Sequence, residues 1–281
     1  MQSIFNLFMY AVLHIALATT SASAADFRFV GTESYVSLRM QGPIEPGDFD
    51  RMLVELSQAD NGRAGYSFFK DRQRLWVNSP GGNVDEALKI AAFVRKSLIP
   101  VWVLDRCDSA CFLILAAAVD RSLTGKIGIH RPYFGDENSL NLGVEESQRR
   151  YAQMSARYYG LLEEFEVPRQ IIDRMRSMAS TEVHYLTQAE RELMGERQPW
   201  FEQLLISKCG LDKEREAAML EEIYRRAPKD PQWRTPADYQ AYKKRVKECT
   251  IALTYSVGRD AYLSEAEALA RRYEASTPAR R

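Results

Sequence analysis

The chain predicts an α/β fold, a parallel sheet packed under helices, with a small α-helical region at its C-terminal end. Three observations lead there. Strand-like runs alternate with helical runs between Phe27 and His130. The links between them are short, so a β-α-β-α-β order should return the strands parallel with helices over them. From Pro199 onward the chain is charged and helical in pattern.

The order begins with two short strands, Phe27–Gly31 and Tyr35–Arg39. "GPIEPGDFDRMLVELSQ" gives a turn and an amphipathic helix with Phe49, Leu53 and Leu56 along one side. A buried strand, Arg74–Asn78, runs into a Gly81–Gly82 turn and a second helix. Asn83 caps that helix, and Glu86, three residues on, is placed to complete a capping box. "PVWVL" (Pro100–Leu104) is the next strand, "FLILAAAV" a buried helix, and "GKIGIH" (Gly125–His130) a strand again. After the polar loop "HRPYFGDENSLNLG", a long helix runs from Val144 to Glu166. Tyr151, Met154, Tyr158, Leu161, Leu162 and Phe165 give it one apolar face. "VPRQIIDRMRS" starts another helix behind Pro168, and "YLTQAERELMG" a further one capped by Thr187 with Glu190 at box distance. The Pro-rich break "APKDPQWRTP" (Ala227–Pro236) divides the C-terminal region into two helical blocks, and the tail "ASTPARR" is expected to be unstructured.

The first residues, "MQSIFNLFMYAVLHIALATTSASAADF", have the apolar core and small-x-small ending of a secretory signal peptide, with a mature start near Ala25. The apolar run of about 15 residues is short of the ~20 that span a bilayer. All 38 basic and 38 acidic residues follow Ala24, so the remaining 257 residues are formally neutral. Such a chain has no electrostatic footprint for nucleic acid and no strong draw to anionic lipid. Export places the four cysteines where disulfides persist. Three pairings are possible, and spacing favours Cys107–Cys111 with Cys209–Cys249. The predicted organisation is a leader at 1–24, an α/β domain at 25–198 and a helical region at 199–281, tied by the second bridge.

The chemistry-bearing stretch is "CDSAC". Ser109 follows a strand and opens an apolar helix, where the helix N-terminus favours negative charge. Of three histidines, His14 leaves with the leader, so a histidine base is His130 or His184. His130 ends a predicted strand at the same sheet edge as Ser109, where α/β sites form, and a histidine within reach takes a serine proton. The "NSPGG" turn brings backbone N–H groups that no Cβ shields. One from Gly81 or Gly82, together with that of Ala110, would make an oxyanion hole. The cysteines read as a structural clip around Ser109. C-x-x-x-C is not the redox C-x-x-C spacing, and a zinc site would lack two ligands, so no metal is expected. Asp108 reads as a helix-start residue complementing the dipole.

Together, "WVNSPGG", "CDSAC" with its helix, and "IGIHRP" resemble the proteolytic subunit of Clp protease (ClpP) and its crotonase-like relatives. Pro80 to Ser109 spans 29 residues and Ser109 to His130 spans 21, in the family's order. The likeness extends from Gly42 to Gly195, through a long helix like the family's handle and a "YLTQAERELMG" like its "FMSAEEALEYGL". It implies a sheet of repeated β-β-α units, Ser109 as nucleophile, His130 as base, and Gly81 or Gly82 with Ala110 at the oxyanion hole. The family's triad aspartate falls on Val183, so the implied acid is its neighbour Glu182. The exported signal peptide peptidases use a serine–lysine pair, for which Lys126 is the candidate. Cysteines flanking the serine suggest an exported, periplasmic branch.

The expected function is an exported serine peptidase, periplasmic or secreted. It would cleave peptides or unfolded chains through an acyl-enzyme, without ATP or any cofactor, as a homo-oligomer without a membrane span. The alternative is a catalytically weak or inactive scaffold of the same fold that binds protein partners in the periplasm. Acyl-CoA chemistry of the crotonase kind is set aside, since its cofactor is cytoplasmic and those enzymes do not generally carry this serine–histidine pair.

Overall fold

The computed structural model describes residues 24–32, 35–60, 68–69, 74–133, 142–226, 228–230 and 232–276. The expected leader before Ala24, most of the expected loop after Tyr133, and the tail beyond Ser276 lie outside the described residues. The elements in chain order are β1 (Asp26–Thr32), β2 (Tyr35–Gln41), α1 (Asp48–Asp60), β3 (Leu75–Ser79), α2 (Val84–Ser97), β4 (Val101–Asp108), α3 (Cys111–Ala117), β5 (Arg121–Ser122) and β6 (Lys126–Ile129). Then follow α4 (Val144–Glu164), α5 (Arg169–Ser177), β7 (His184–Tyr185), α6 (Gln188–Met194), α7 (Pro199–Cys209), α8 (Lys213–Arg226) and α9 (Ala237–Ser276).

The fold is α/β. One sheet runs β1-β2-β3-β4-β6-β7, with β5 beside β4. Its centre, β2 through β6, is parallel. The strands of the expected β-α-β-α-β order, β3, β4 and β6, lie parallel as expected, and the two outer pairings of the sheet are antiparallel. At the β1 edge the reason is loop length. A parallel return needs a crossover of a dozen or more residues, whereas residues 33–34 alone join β1 to β2.

Where β3 meets β4 the ladder slips: Val77 pairs with Val103, but Ser79 pairs with Cys107. The extra residues on β4 form a bulge, a device common beside active sites. It carries β4 four residues past the expected end at Leu104. The slip brings the "NSPGG" turn level with "CDSAC".

Helix α3 is buried at every residue, as an all-round apolar sequence requires. Its last-turn carbonyls have no helical partner. The carbonyl of Ala116 receives Arg121 Nη1 at 3.0 Å and Gln198 Nε2 at 3.1 Å. Arg121 is itself buried and also donates to Gly195 O and Met194 O. Burial pushes its pKa down to about 10, so it remains a cation at neutral pH.

Phe49, Leu53 and Leu56 of α1 are buried as the periodicity predicts. The expected box at α2 is only half made. Asn83 Oδ1 accepts from Glu86 N at 2.9 Å, but Glu86 turns its carboxylate to Phe49 N at 2.8 Å and Lys89 Nζ at 2.7 Å. The buried amide at the start of α1 has the stronger claim on it. At α6 the Thr187–Glu190 box is complete.

The C-terminal helices share the core of the α/β region. Tyr262 and Leu269 of α9 join the main core, while Tyr239, Tyr242 and Val246 pack with Phe201, Leu205 and Val119. At 40 residues, α9 is about 60 Å long, enough to reach both clusters. Gly258 lets it close on α2, for a Cβ there would sit 2.7 Å from Phe69 Cδ1 and 2.9 Å from Ser97 O. Among the described residues no helix is long and apolar enough to cross a membrane.

Candidate active site

Ser109 stands between β4 and α3 with φ 56°. That is the left-handed region, which a non-glycine residue occupies only when its surroundings impose it. Three constraints do so. Ser109 N donates to Gly128 O at 2.9 Å, and Ser109 O accepts from Phe112 N at 2.9 Å. A disulfide joins Cys107 of β4 to Cys111 of α3, with Cα atoms 5.2 Å apart. Both cysteines are fully buried, whereas Ser109 is partly exposed at the tip. The strand–helix junction is therefore a covalently closed elbow with the serine at its bend.

The glycine turn packs against this elbow. A Cβ on Gly81, whose φ is +92°, would lie 2.6 Å from both Asp108 O and Ser109 Cβ and 3.0 Å from Ala110 N. Only glycine permits so close an approach. The two glycines differ in how their N–H groups are engaged. Gly81 N donates to Ser79 Oγ at 3.1 Å, so it is engaged. The N–H groups of Gly82 and Ala110 are donated to no partner among the described residues. They are the open backbone donors of the two segments.

His130 follows β6 and is 8% exposed. Its Nδ1 lies 2.8 Å from Arg131 O. A carbonyl oxygen can only accept, so Nδ1 is the donor of this bond, and in the neutral imidazole the lone pair then lies on Nε2. Tyr133 leans on the ring, centroids 5.6 Å apart. The pairing of Asp108 with Gly128 sets the end of β4 beside that of β6, which brings Ser109 and His130 to the same sheet edge. Among the described residues no hydrogen bond joins Ser109 Oγ to His130.

The expected acid does not assemble. β7 pairs Gly128 with Tyr185 and Ile129 with His184, and one step further this register sets Val183 across from His130. Val183 is 47% exposed and apolar. Glu182 hydrogen-bonds within its own turn instead, its carboxylate accepting from Ala179 N at 3.3 Å and its N donating to Ala179 O at 3.2 Å. Lys126 is exposed at the far end of β6, paired in register with Arg106. His184 binds Glu190 at 2.8 Å.

Asp108 differs from its expected part. It is the last residue of β4 and 3% exposed, and its Oδ2 takes Arg106 Nε at 2.8 Å. Its Oδ1 is buried with no hydrogen-bond partner among the described residues. It lies over Gly128, where a Cβ would come within 2.4 Å of it. The same Cβ would be 2.9 Å from Val183 Cγ1. Gly128 pairs with Asp108, so a buried carboxylate lies over β6 two residues before His130. Nothing in the spacing of "CDSAC" signalled this, because the strand had been expected to end at Leu104.

Both expected disulfides are formed, the second joining Cys209 and Cys249 with Cα atoms 5.5 Å apart. Among the described residues no group of three or more histidine, cysteine, aspartate or glutamate side chains is arranged to hold a metal.

Fold and site together define an α/β protein with a serine on a disulfide-closed elbow and a histidine at the neighbouring strand end. No family model and no curated protein matches the chain. Among solved structures it is similar to a mutant form of ClpP1 from Listeria monocytogenes at 18% identity, over 57% of this chain and 86% of that one, with a TM-score of 0.43.

Proposed function

We propose that the protein is an exported serine peptidase of the ClpP type acting on peptides or unfolded polypeptides without ATP. The observation that carries this reading is the elbow. Ser109 is held at positive φ against Gly81, and the N–H groups of Gly82 and Ala110, the next residue along each segment, are donated to no partner among the described residues. Strain of this kind persists where surrounding structure over-determines it, and it clusters at reactive sites.

In this reading Ser109 Oγ attacks the substrate carbonyl while its proton passes to His130 Nε2. The Gly82 and Ala110 N–H groups receive the developing oxyanion; such donors are worth about 3 kcal/mol each. Collapse releases the amine, which takes the proton from His130, and water then hydrolyses the acyl-enzyme. The Arg131 carbonyl holds the imidazole tautomer that a triad carboxylate would otherwise fix. A neutral carbonyl stabilises the imidazolium less than a carboxylate does, so turnover is expected to be slow. Two disulfides and the apolar leader support an oxidising, extracytoplasmic compartment. The N-terminal part of α4 is mostly exposed and is the proposed surface for self-association.

A specific observation favours a second reading, an inactive partner-binding scaffold of the same fold. Val183 takes the acid's place, and Glu182 is engaged elsewhere. Fluorophosphonate labelling of the oxidised mature protein separates the two. Labelling lost in both Ser109→Ala and His130→Ala, with Tm unchanged, supports the peptidase. A folded wild-type protein that takes no label is the scaffold.

A further inference from the structure

On the far side of the sheet order from Ser109, the start of β1 meets the start of α1. Ala25 is 4% exposed, and its N lies 3.4 Å from Oδ2 of Asp48, a carboxylate with no exposed surface. Asp48 is well anchored. Its Oδ2 also accepts from Glu45 N at 2.7 Å, and its Oδ1 accepts from Arg51 Nε at 2.9 Å. Ala25 is also the residue that follows the small-x-small "ASA" of the leader.

We infer that hydrolysis of the Ala24–Ala25 peptide bond creates an α-ammonium that docks on Asp48, so that export processing completes the folded domain. Water adds hydroxide to the Ala24 carbonyl and a proton to the Ala25 nitrogen. The products are an Ala24 carboxylate on the departing leader and an amine that is protonated at neutral pH. Before the cut, Ala25 offers Asp48 one neutral N–H. After it, the same nitrogen offers three donors and a unit charge, and hydrogen bonds between ionised partners are roughly twice as strong.

The charges around the recess suit a cation. Ala25, Asp26, Asp50, Arg51 and Glu55 line it. Arg28 pairs with Asp26, Arg51 with Asp48, and Arg272 of α9 with Asp50. Glu55 has no ion-pair partner among the described residues, and burial raises its pKa. With Asp48 and the pairing partners Arg28 and Arg272 counted beside the lining residues, four carboxylates meet three guanidinium groups, and the ammonium supplies the missing positive charge. The inference does not depend on Ser109 being reactive.

The test has two parts. The full-length precursor is exported in a bacterial host and the N-terminus of the product is read by intact mass and terminal sequencing. The expected first residue is Ala25, and any other start, or an uncut chain, overturns the inference. Second, a chain beginning at Ala25 is compared with the same chain after selective N-terminal acetylation, each with and without Asp48→Asn. The free amine is expected to raise Tm by about 3 °C for a chain this size, and Asp48→Asn to remove that difference. Equal Tm values for the free and acetylated chains overturn the docking, and the acetylation comparison stands even if Asp48→Asn fails to fold.

Discussion

The two disulfides hold very different regions. Cys107–Cys111 closes a separation of four residues, lies wholly buried, and encircles Ser109. Cys209–Cys249 closes 40 residues and ties α7 to α9 at the margin of the second apolar cluster. On the chain-entropy model a loop of that length stabilises by about 4 kcal/mol and the short one by about 2 kcal/mol. The short bridge flanks a serine at positive φ, and the long one joins two helices beside the second buried cluster. The same bond therefore serves stability at one end of the molecule and local geometry at the other.

That contrast is open to measurement. Removing the long bridge with Cys209→Ala and Cys249→Ala has the largest expected effect, a loss of about 4 kcal/mol in denaturant unfolding. Fluorophosphonate labelling of the folded fraction should remain within about twofold, since distant sites act independently. A comparable fall in labelling would break the division of labour.

Gly81→Ala tests the other side. Its Cβ would collide with Ser109 Cβ at 2.6 Å, and displacement of a reacting group by about 1 Å costs about 100-fold in rate. Labelling of the folded protein should drop by that order. Unchanged labelling would mean the elbow tolerates the shift.

The short bridge comes next. Cys107→Ala with Cys111→Ala should cost about 2 kcal/mol yet slow labelling by about tenfold, a change of ~1.4 kcal/mol in barrier. The sharpest result is the crossed pattern, with the long bridge governing Tm and the short one governing reactivity.

The smallest effect concerns the β7 edge. Burial alone would raise the Glu190 pKa, but hydrogen bonds from Thr187 N, the His184 ring and the Thr187 hydroxyl prevail and hold it at about 2, against an ordinary 4.5. A depressed carboxylate contributes stability in full above its unfolded pKa and loses it as pH falls through the folded one. The Glu190 contribution should be complete above about pH 4.5 and gone near pH 2. Glu190→Gln should flatten the unfolding profile in that window, and a parallel profile would show the network to be inert.

Much of the fold was legible because local patterns coincide with tertiary demands. The all-apolar "FLILAAAV" has nowhere to go but the core, and Phe49, Leu53 and Leu56 bury the face that their spacing marks. Cysteine spacing pointed to both bridges. What stayed hidden depends on partners distant in sequence. Arg121 reads as a surface cation until three carbonyls from α3 and the end of α6 converge on it. Glu86 matches a capping box, yet an amide 37 residues away takes its carboxylate.

The sequence by itself determined the α/β class, the positions of Ser109 and His130 at strand ends, and the glycine turn that faces them, because each follows from periodicity or backbone chemistry within a few residues. Only the tertiary structure decided which glycine N–H is left open, that His130 Nδ1 bonds Arg131 O, and that Asp108 sets a buried carboxylate over Gly128, two residues before His130. The last of these turns on the pairing of β4 with β6, which sets Asp108 opposite Gly128. Strand register is a relation between segments, and no segment carries it alone.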